Sequence, residues 1–253
     1  MATTTAAFDQ VAQTSESQWA SLYTIGGSAA LITVALILVD TGLSMVNPAG
    51  DNIPGVFSAA EWFGLFETDP LRSFRDLGVL NIFNAILGIP VFFALYVLHR
   101  GTQQAYAGLA LMLMLFGGAV YISNNTVLPM WALSQDYAAA TTEVERATLI
   151  AAGEAMLARG ADFTPGSLVG FILSSVATLL MAFVLLRGRV FSSITAYAGL
   201  IGLTCLLIFT IWVTFAPSSF ATAMLLALPG GLLALAWNIL IARRLLQLGA
   251  QAR

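Results

Sequence analysis

The chain has 253 residues, of which 58% are hydrophobic and only 9% are charged. A typical soluble domain carries about 25% charged residues, so this chain has too few polar side chains to cover the surface of a soluble fold. The composition therefore excludes an ordinary soluble protein. It predicts an all-α, polytopic transmembrane bundle.

Few residue types suited to catalysis or metal binding are present. The one cysteine, Cys205, lies in an apolar run, which excludes an intramolecular disulfide and a thiolate metal cluster. The one histidine, His99, excludes a bis-histidine haem and a multi-histidine metal site. All ten basic residues are arginine, so no lysine can form a Schiff base with a cofactor. The net charge of −3 and the absence of a basic stripe exclude nucleic acid as a partner. We expect no catalytic residue, no cofactor and no metal.

The N-terminal end of the chain is polar. Residues 1–18 contain no basic residue, whereas a secretory signal peptide begins with basic residues and has a short apolar core. We therefore interpret 1–18 as a polar N-terminal tail. The first span then covers Trp19 to about Met45, which is long enough to cross about 30 Å of hydrocarbon. The stretch 47–57 is rich in turn residues and predicts a loop.

A short helix is predicted directly after this loop. Ser58 and Glu61 have the spacing of a capping box, which marks a helix start. Four apolar side chains share one side of the helix: Trp62, Phe63, Leu65 and Phe66. We expect this helix to lie flat on the membrane with its aromatic side chains at headgroup depth.

Five further spans follow. The second is expected to begin at Asp69-Pro70, where an N-cap precedes proline at the first helical position, and to run to Arg100 with a kink at Pro90. The others are expected at Ala105–Asn125, Ser167–Leu186, Ser193–Phe215 and Phe220–Ile241. The bundle therefore has six helices in a single transmembrane domain, residues 19–245, with outer loops at 46–69 and 126–166. Residues 246–253 form a C-terminal tail.

The loop 126–166 is the longest polar segment. Thr142 and Glu145 form a second capping box, and Arg159-Gly160 is a typical helix end, so a helix is predicted from Thr142 to Arg159. Small side chains form a stripe along this helix that is suited to close packing: Val144, Ala147, Ala151, Ala155 and Ala158.

The arginines predict the orientation. Six of the ten lie in the short segments at one end of the bundle: Arg100, Arg187, Arg189, Arg243, Arg244 and Arg253. The other four lie in the two long loops or at the adjoining outer end of the second span, diluted by ten carboxylates. Because cytoplasmic segments are enriched in arginine, we expect both termini in the cytoplasm and the two helical loops outside, as an acidic lid. Arginine in place of lysine suggests a bacterial source, and hence the bacterial cytoplasmic membrane.

Two stretches resemble an uncharacterised family of bacterial six-span membrane proteins that is known only as a domain of unknown function. PLRSFRDLGVLNIFNAILGIPVFFALYVLHR resembles its second span with the preceding arginine-containing turn, and WALSQDYAAATTEVERATLIAAGEAML resembles its outer helix. The likeness covers roughly residues 20–215. It implies the six-span architecture and no activity.

Several polar side chains fall inside or at the ends of the apolar spans. Burying such groups in the membrane is energetically unfavourable, and those that occur there often have a function. We expect six of them to converge on an outward-opening polar pocket under the lid: Asp40, Arg75, Asn81, Asn84, Asn124 and Asn125. The alternative is an interfacial pair of Asp40 with Arg75 together with ordinary hydrogen bonds between helices. Trp237-Asn238 is interpreted as part of the aromatic belt, with a small-ligand contact as the alternative.

Two functions remain open at the level of the sequence. The first is a non-enzymatic accessory or scaffold subunit that presents the acidic lid to a membrane-protein partner. The alternative is a binding or transport protein for a small or lipophilic molecule, which would use the outward-facing pocket. An intramembrane enzyme is disfavoured, because the histidines, lysines and carboxylate pairs of such chemistry are lacking. Membrane lipids are expected contacts, and a homo-oligomer is a further option.

Overall fold

The computed structural model describes residues 2–46 and 57–252, with side chains for 19–43 and 57–252. These ranges contain helices and no strand, and six helical stretches are long and apolar enough to cross a membrane. The predicted all-α bundle of six transmembrane helices is therefore confirmed. The loop predicted at 47–57 lies almost wholly outside the described residues.

The helices follow one another with short connections. The six that carry the spans are α1 (Ala2–Val46), α4 (Val79–His99), α5 (Gln104–Asn124), α8 (Pro165–Gly188), α9 (Ser193–Phe215) and α10 (Phe220–Gln251). Four more are α2 (Ala59–Thr68), α3 (Pro70–Asp76), α6 (Val127–Ala139) and α7 (Glu143–Gly160). A single 3₁₀ turn, Pro217–Ser219, joins α9 to α10.

The six spans form a closed ring in chain order. Each packs against the next, from α1 through α4, α5, α8 and α9 to α10, and α10 closes the ring against α1. Small residues permit the close approaches: a Cβ on Gly230 would lie 3.0 Å from the carbonyl oxygen of Gly202 across α9 and α10. Short connections between sequential antiparallel neighbours explain this order.

The inside and outside of the ring are both apolar. Leu95, Met181, Leu185 and Ile241 are fully buried in the inner core. Large apolar side chains on the outside are 47% to 70% exposed, among them Ile32, Phe83, Phe116, Ile208 and Leu232. A soluble protein rarely exposes apolar surface on this scale, whereas hydrocarbon covers it favourably. The chain is a multi-pass membrane protein.

The helices α2, α3, α6 and α7 form a layer over one end of the ring, here named the cap (residues 57–78 and 125–164). The cap has its own hydrophobic core, in which Trp62, Phe63 and Phe66 pack with Val127 and Met130. The prediction that α2 lies on the membrane with its aromatic side chains at headgroup depth is therefore wrong. These side chains are buried because α6, which the sequence analysis missed, and α7 cover them.

Both predicted capping boxes are confirmed. Ser58 and Glu61 exchange hydrogen bonds at the start of α2, and Thr142 and Glu145 do so at the start of α7. The backbone N–H and hydroxyl of Ser58 hold the pKa of Glu61 below its ordinary value of 4.5. Across the cap, the carboxylate of Glu154 accepts a hydrogen bond of 2.7 Å from the backbone N–H of Ala59.

The second span begins later than predicted. Asp69 caps the short helix α3 as expected, by accepting a hydrogen bond from the backbone N–H of Arg72. However, α3 ends at Asp76, and Gly78 takes a left-handed backbone conformation with φ of +86° before α4 begins at Val79. This conformation is easily adopted only by glycine, and it stops the helix. Pro90 lies inside α4, which continues through it.

Two chain ends also differ from the predictions. The segment predicted as a polar tail is helical from Ala2 and continuous with the first span. The sixth helix continues ten residues beyond the predicted Ile241, to Gln251. A 32-residue helix is about 48 Å long, so α10 extends past the hydrocarbon. His99, at the end of α4, is fully buried, and its ring stacks on Phe191.

The small-residue stripe of α7 does not pack inside the chain. The buried face of α7 consists of Gly153, Leu157 and Gly160. A Cβ on Gly153 would lie 2.7 Å from the Cβ of Ala59, so glycine is needed where α2 crosses α7. The stripe lies on the opposite side and is exposed along its whole length: Val144, Ala147, Ala151, Ala155 and Ala158.

Candidate functional site

The polar side chains under the cap centre on Asp162, in the connection between α7 and α8. One oxygen of its carboxylate accepts a hydrogen bond of 2.8 Å from the side-chain amide of Asn81. The other accepts a hydrogen bond of 3.1 Å from the hydroxyl of Tyr121. A single carboxylate thus joins α4, α5 and the cap.

Asn125 extends this network at the C-terminal end of α5. Its Nδ2 donates to the carbonyl of Leu77 at 3.3 Å, and its Oδ1 accepts from the backbone N–H of Val127 at 3.0 Å. Its amide is also 3.4 Å from the hydroxyl of Tyr121. The Asn125 side chain therefore pairs one backbone group at the end of α3 and one at the start of α6. Backbone groups at helix ends otherwise lack a partner.

Gly78 allows these groups to meet. A Cβ on this residue would lie 2.8 Å from the hydroxyl oxygen of Tyr121 and 3.3 Å from the Nδ2 of Asn125. The left-handed φ and the close approach both require glycine at this position.

The residue after Asp162 is held in a strained backbone conformation. Phe163 has φ of +61°, which is rare for a bulky side chain. Its ring stacks parallel to Phe171 and packs edge-on against Phe209 and Phe220. These aromatic contacts offset the strain and fix the direction in which the neighbouring Asp162 side chain points.

A separate charged cluster lies on α3. The Asp76 side chain is 3% exposed and accepts from the guanidinium groups of Arg75, at 2.5 Å, and Arg72, at 3.4 Å. Asp40 of α1 lies close enough for the charges of Arg75 and Asp76 to act on it. Asp76 binds the Arg75 guanidinium directly, and Asp40 lies nearby.

Asn124 has a different role from its neighbour Asn125. Its Nδ2 donates to the carbonyl of Gly166 at 3.3 Å, and its Oδ1 accepts from the guanidinium of Arg159 at 3.4 Å. A Cβ on Gly160 or on Gly166 would overlap neighbouring backbone atoms, so the chain passes very tightly here. Asn124 therefore fastens the connection between α7 and α8 to the end of α5.

Asn84 lies three residues beyond Asn81, or about 4.5 Å further along α4. Its Oδ1 is buried and has no hydrogen-bond partner, and it lines a cavity within the ring. It does not belong to the Asp162 network.

The structure places the six predicted pocket residues in several groups. Asn81 donates to Asp162, and Asn125 is connected to Asp162 through Tyr121. Asn124 holds the α7–α8 connection, and Asn84 faces the ring. Arg75 binds Asp76, and Asp40 lies near enough to both Asp76 and Asp162 for the charges to interact. Asp162 was missed as a site residue, because the sequence shows only another carboxylate in an acidic loop.

The arrangement is suited to holding the cap on the spans. In the described residues, no group of three or more histidine, cysteine or carboxylate side chains is placed to hold a metal ion. The carboxylate of Asp162 faces two neutral donors rather than a nucleophile. What it can do is fix the cap on the spans.

Comparisons with known proteins give no relative: no family model matches the chain, and neither the curated proteins nor the solved structures contain a significant match.

Proposed function

We propose that this chain is a non-enzymatic accessory or scaffold subunit of a membrane assembly, and that it contacts its partner through the exposed stripe of α7. The proposal includes a bacterial cytoplasmic membrane, with both termini in the cytoplasm and the cap outside. The observation that carries it is that a stripe of small side chains, opposite the buried face of α7, is uncovered.

The cap is built to present this stripe rigidly. Its hydrophobic core fixes α7 against α2 and α6, and the Asp162 network fixes the cap on the spans. A rigid surface loses little conformational entropy when a partner binds, which favours binding.

The exposed charges of the cap favour a basic partner. Seven exposed carboxylates lie on the cap: Glu61, Glu67, Asp69, Asp136, Glu143, Glu145 and Glu154. Its arginines are largely engaged with the chain itself, as Arg146 is with Glu143 and Arg159 with Asn124. A helix of another membrane protein with small and basic residues would complement this surface in shape and charge.

The test is site-specific photo-crosslinking in intact cells. A photoreactive residue at Ala151 should give one discrete heavier product, whereas the same residue at Ala138, exposed on α6, should not. With the photoreactive residue kept at Ala151, leucine at both Ala147 and Ala155 should abolish the product, and leucine at Ala138 and Ala139 should not. Absence of any product at Ala151 would contradict the proposal. A product containing two differently tagged copies would replace it with a homo-oligomer.

An outward-facing transport pocket is the alternative function. Asn84 and Asn124 make no hydrogen bond within the Asp162 network, which does not favour it. The cavity next to Asn84 lies within the ring of spans and not under the cap, and most of its lining residues are apolar.

A further inference from the structure

The end of the ring opposite the cap is basic. Five of the described arginines lie there: Arg100, Arg187, Arg189, Arg243 and Arg244. Every carboxylate whose side chain the structure describes belongs to the cap or to Asp40, in the half of α1 nearer the cap. Within the described part of the chain, none of the five guanidinium groups forms an ion pair. Their positive charge is therefore uncompensated, and it attracts anions.

Three of these arginines surround the connection between α8 and α9. Arg187 lies in the last turn of α8, and Arg189 directly follows that helix. The Nε of Arg244, on α10, donates a hydrogen bond of 3.1 Å to the carbonyl of Val190. The two acidic residues that precede Trp19 belong to α1, which lies across the ring from α8. The positive charge is thus concentrated at the end of α8.

The guanidinium of Arg187 is held on an aromatic surface. Its Cζ lies 4.8 Å from the centre of the Phe183 ring, in a cation–π contact. Phe183 in turn packs edge-on against Tyr106 of α5, with 6.0 Å between the ring centres. A guanidinium carries its N–H groups in its own plane, so stacking leaves them available. Within the described residues Arg187 donates no hydrogen bond, and its donors are therefore free for a ligand.

Tyr106 places this contact at the depth of the lipid headgroups. Four side chains of α5 recur every three or four residues and are 50% to 58% exposed: Tyr106, Leu109, Met112 and Phe116. They form the lipid-facing side of α5, and Tyr106 lies at its end. Tyrosine is typical of the boundary between membrane and water. A ligand that fits here has an anionic head next to Arg187 and an apolar tail along α5.

We propose that the surface between α5 and α8 at this end of the ring is a binding site for an anionic phospholipid. Arg187 binds the phosphate in the bidentate geometry that a guanidinium forms with phosphate oxygens. The acyl chains lie along Leu109 and Met112. A zwitterionic lipid binds less well, because its own cationic group is repelled by Arg189 and Arg244. Basic surfaces between spans recognise anionic headgroups in this way.

The test is native mass spectrometry of the full chain in detergent, with equal amounts of phosphatidylglycerol and phosphatidylcholine that have the same acyl chains. The complex with phosphatidylglycerol should be about fivefold more abundant, which corresponds to about 1 kcal/mol. Equal abundance of the two complexes would overturn the proposal. Glycerol 3-phosphate at the same concentration should not displace the lipid, because it lacks the acyl chains. Displacement would show a site for a soluble phosphate and would overturn the proposal as well.

Three variants distinguish this site from a diffuse attraction by positive charge. Arg187→Gln should lower the preference for phosphatidylglycerol to less than about twofold. Arg187→Lys keeps the charge without the planar group, so it should restore at most half of the loss. Arg243→Gln removes the same charge from an exposed position of α10 at the same end, and it should have a much smaller effect. Equal effects of the two glutamine variants, or full rescue by lysine, would overturn the proposal.

Phe183→Leu tests the site without a change of charge. It removes the aromatic surface under Arg187 and should lower the preference for phosphatidylglycerol about threefold. An unchanged preference would show that stacking does not position the guanidinium, and it would overturn the proposal. Thermal unfolding without added lipid is the control for folding, and Arg187→Gln should match the wild type there, because this side chain is exposed.

Discussion

Asn81 donates a hydrogen bond of 2.8 Å to Asp162, although the two residues are 81 positions apart in the chain. One belongs to the first turn of the second span, and the other to the connection that leads from the cap into the fourth span. This hydrogen bond, with that of Tyr121, makes the cap and the bundle one mechanical unit. The stability of the cap can therefore be tested at Asp162.

Replacing Asp162 by alanine should destabilise the protein by about 3 kcal/mol, because two hydrogen bonds to a charged acceptor are lost. The hydroxyl of Tyr121 and the amide of Asn81 are then left without their partner. Thermal unfolding in mild detergent measures the change. Asp136→Ala, at an exposed position of α6, serves as the control and should have little effect. Equal stability of the two variants would show that Asp162 does not join the cap to the spans.

Gly78→Ala should destabilise by about 2 kcal/mol, since the backbone is left-handed there. The added methyl would also approach the Tyr121 hydroxyl to 2.8 Å and disturb its hydrogen bonds. Gly64→Ala is a matched control in α2, where nothing lies within 4 Å of the added Cβ. Because alanine favours a helix, the control should unfold at the same or a higher temperature. Two equally stable variants would contradict the proposed role of Gly78.

The spans could be predicted because long apolar runs leave few alternatives in a membrane. The fifth is observed at the predicted bounds, Ser193–Phe215. The helix α6 was missed, since Val127–Ala139 mixes apolar and polar residues and contains Pro129, so that no clear periodicity marks it. The late start of the second span has a similar cause, because a sequence does not reveal that Gly78 takes a positive φ.

The candidate site was predicted less well than the fold. Asn81 and Asn125 stand out in the sequence as polar residues near the ends of spans. Their connection to Asp162, which is direct for Asn81 and runs through Tyr121 for Asn125, could not be inferred, because Asp162 lies in a different part of the chain and resembles the exposed carboxylates of the cap. The close packing of the buried Trp237 indole on Gly199 is likewise invisible in the sequence.

In the charged cluster of α3, we expect Arg75 to have a larger coupling energy with Asp76 than with Asp40. Asp76 is buried and bound directly by Arg75, so a double-mutant cycle with Arg75→Gln and Asp76→Asn should give a coupling of about 2 kcal/mol. A cycle between Asp40→Asn and Arg75→Gln should give less than about 1 kcal/mol, because Arg75 is directed to Asp76. Unfolding curves of the five proteins besides the wild type supply both cycles. A larger coupling for Asp40 would make it the main partner of Arg75.

The capping box at the start of α2 predicts a dependence on pH. The hydrogen bonds from Ser58 lower the pKa of Glu61 in the folded state below 4.5. Its charge therefore stabilises the cap above this pH, and the contribution is lost as the pH falls through the folded pKa. Glu61→Gln should unfold at a lower temperature than the wild type at pH 7, with the difference shrinking below pH of about 4. Glu67→Gln on the same helix is the control. A difference that does not change with pH would exclude the charge as its cause.

The orientation predicted from the arginines can be tested at the two ends of the ring. The turn between α6 and α7 contains Ala140 and lies in the cap, whereas the turn between α4 and α5 contains Gln103 and lies at the opposite end. On a Cys205→Ala background, a cysteine at Ala140 should react with an impermeant thiol reagent on intact cells, and one at Gln103 should not. Both should react after solubilisation in detergent, which controls for access to each thiol. The opposite labelling would place the cap in the cytoplasm, and any partner of α7 would then have to be sought there.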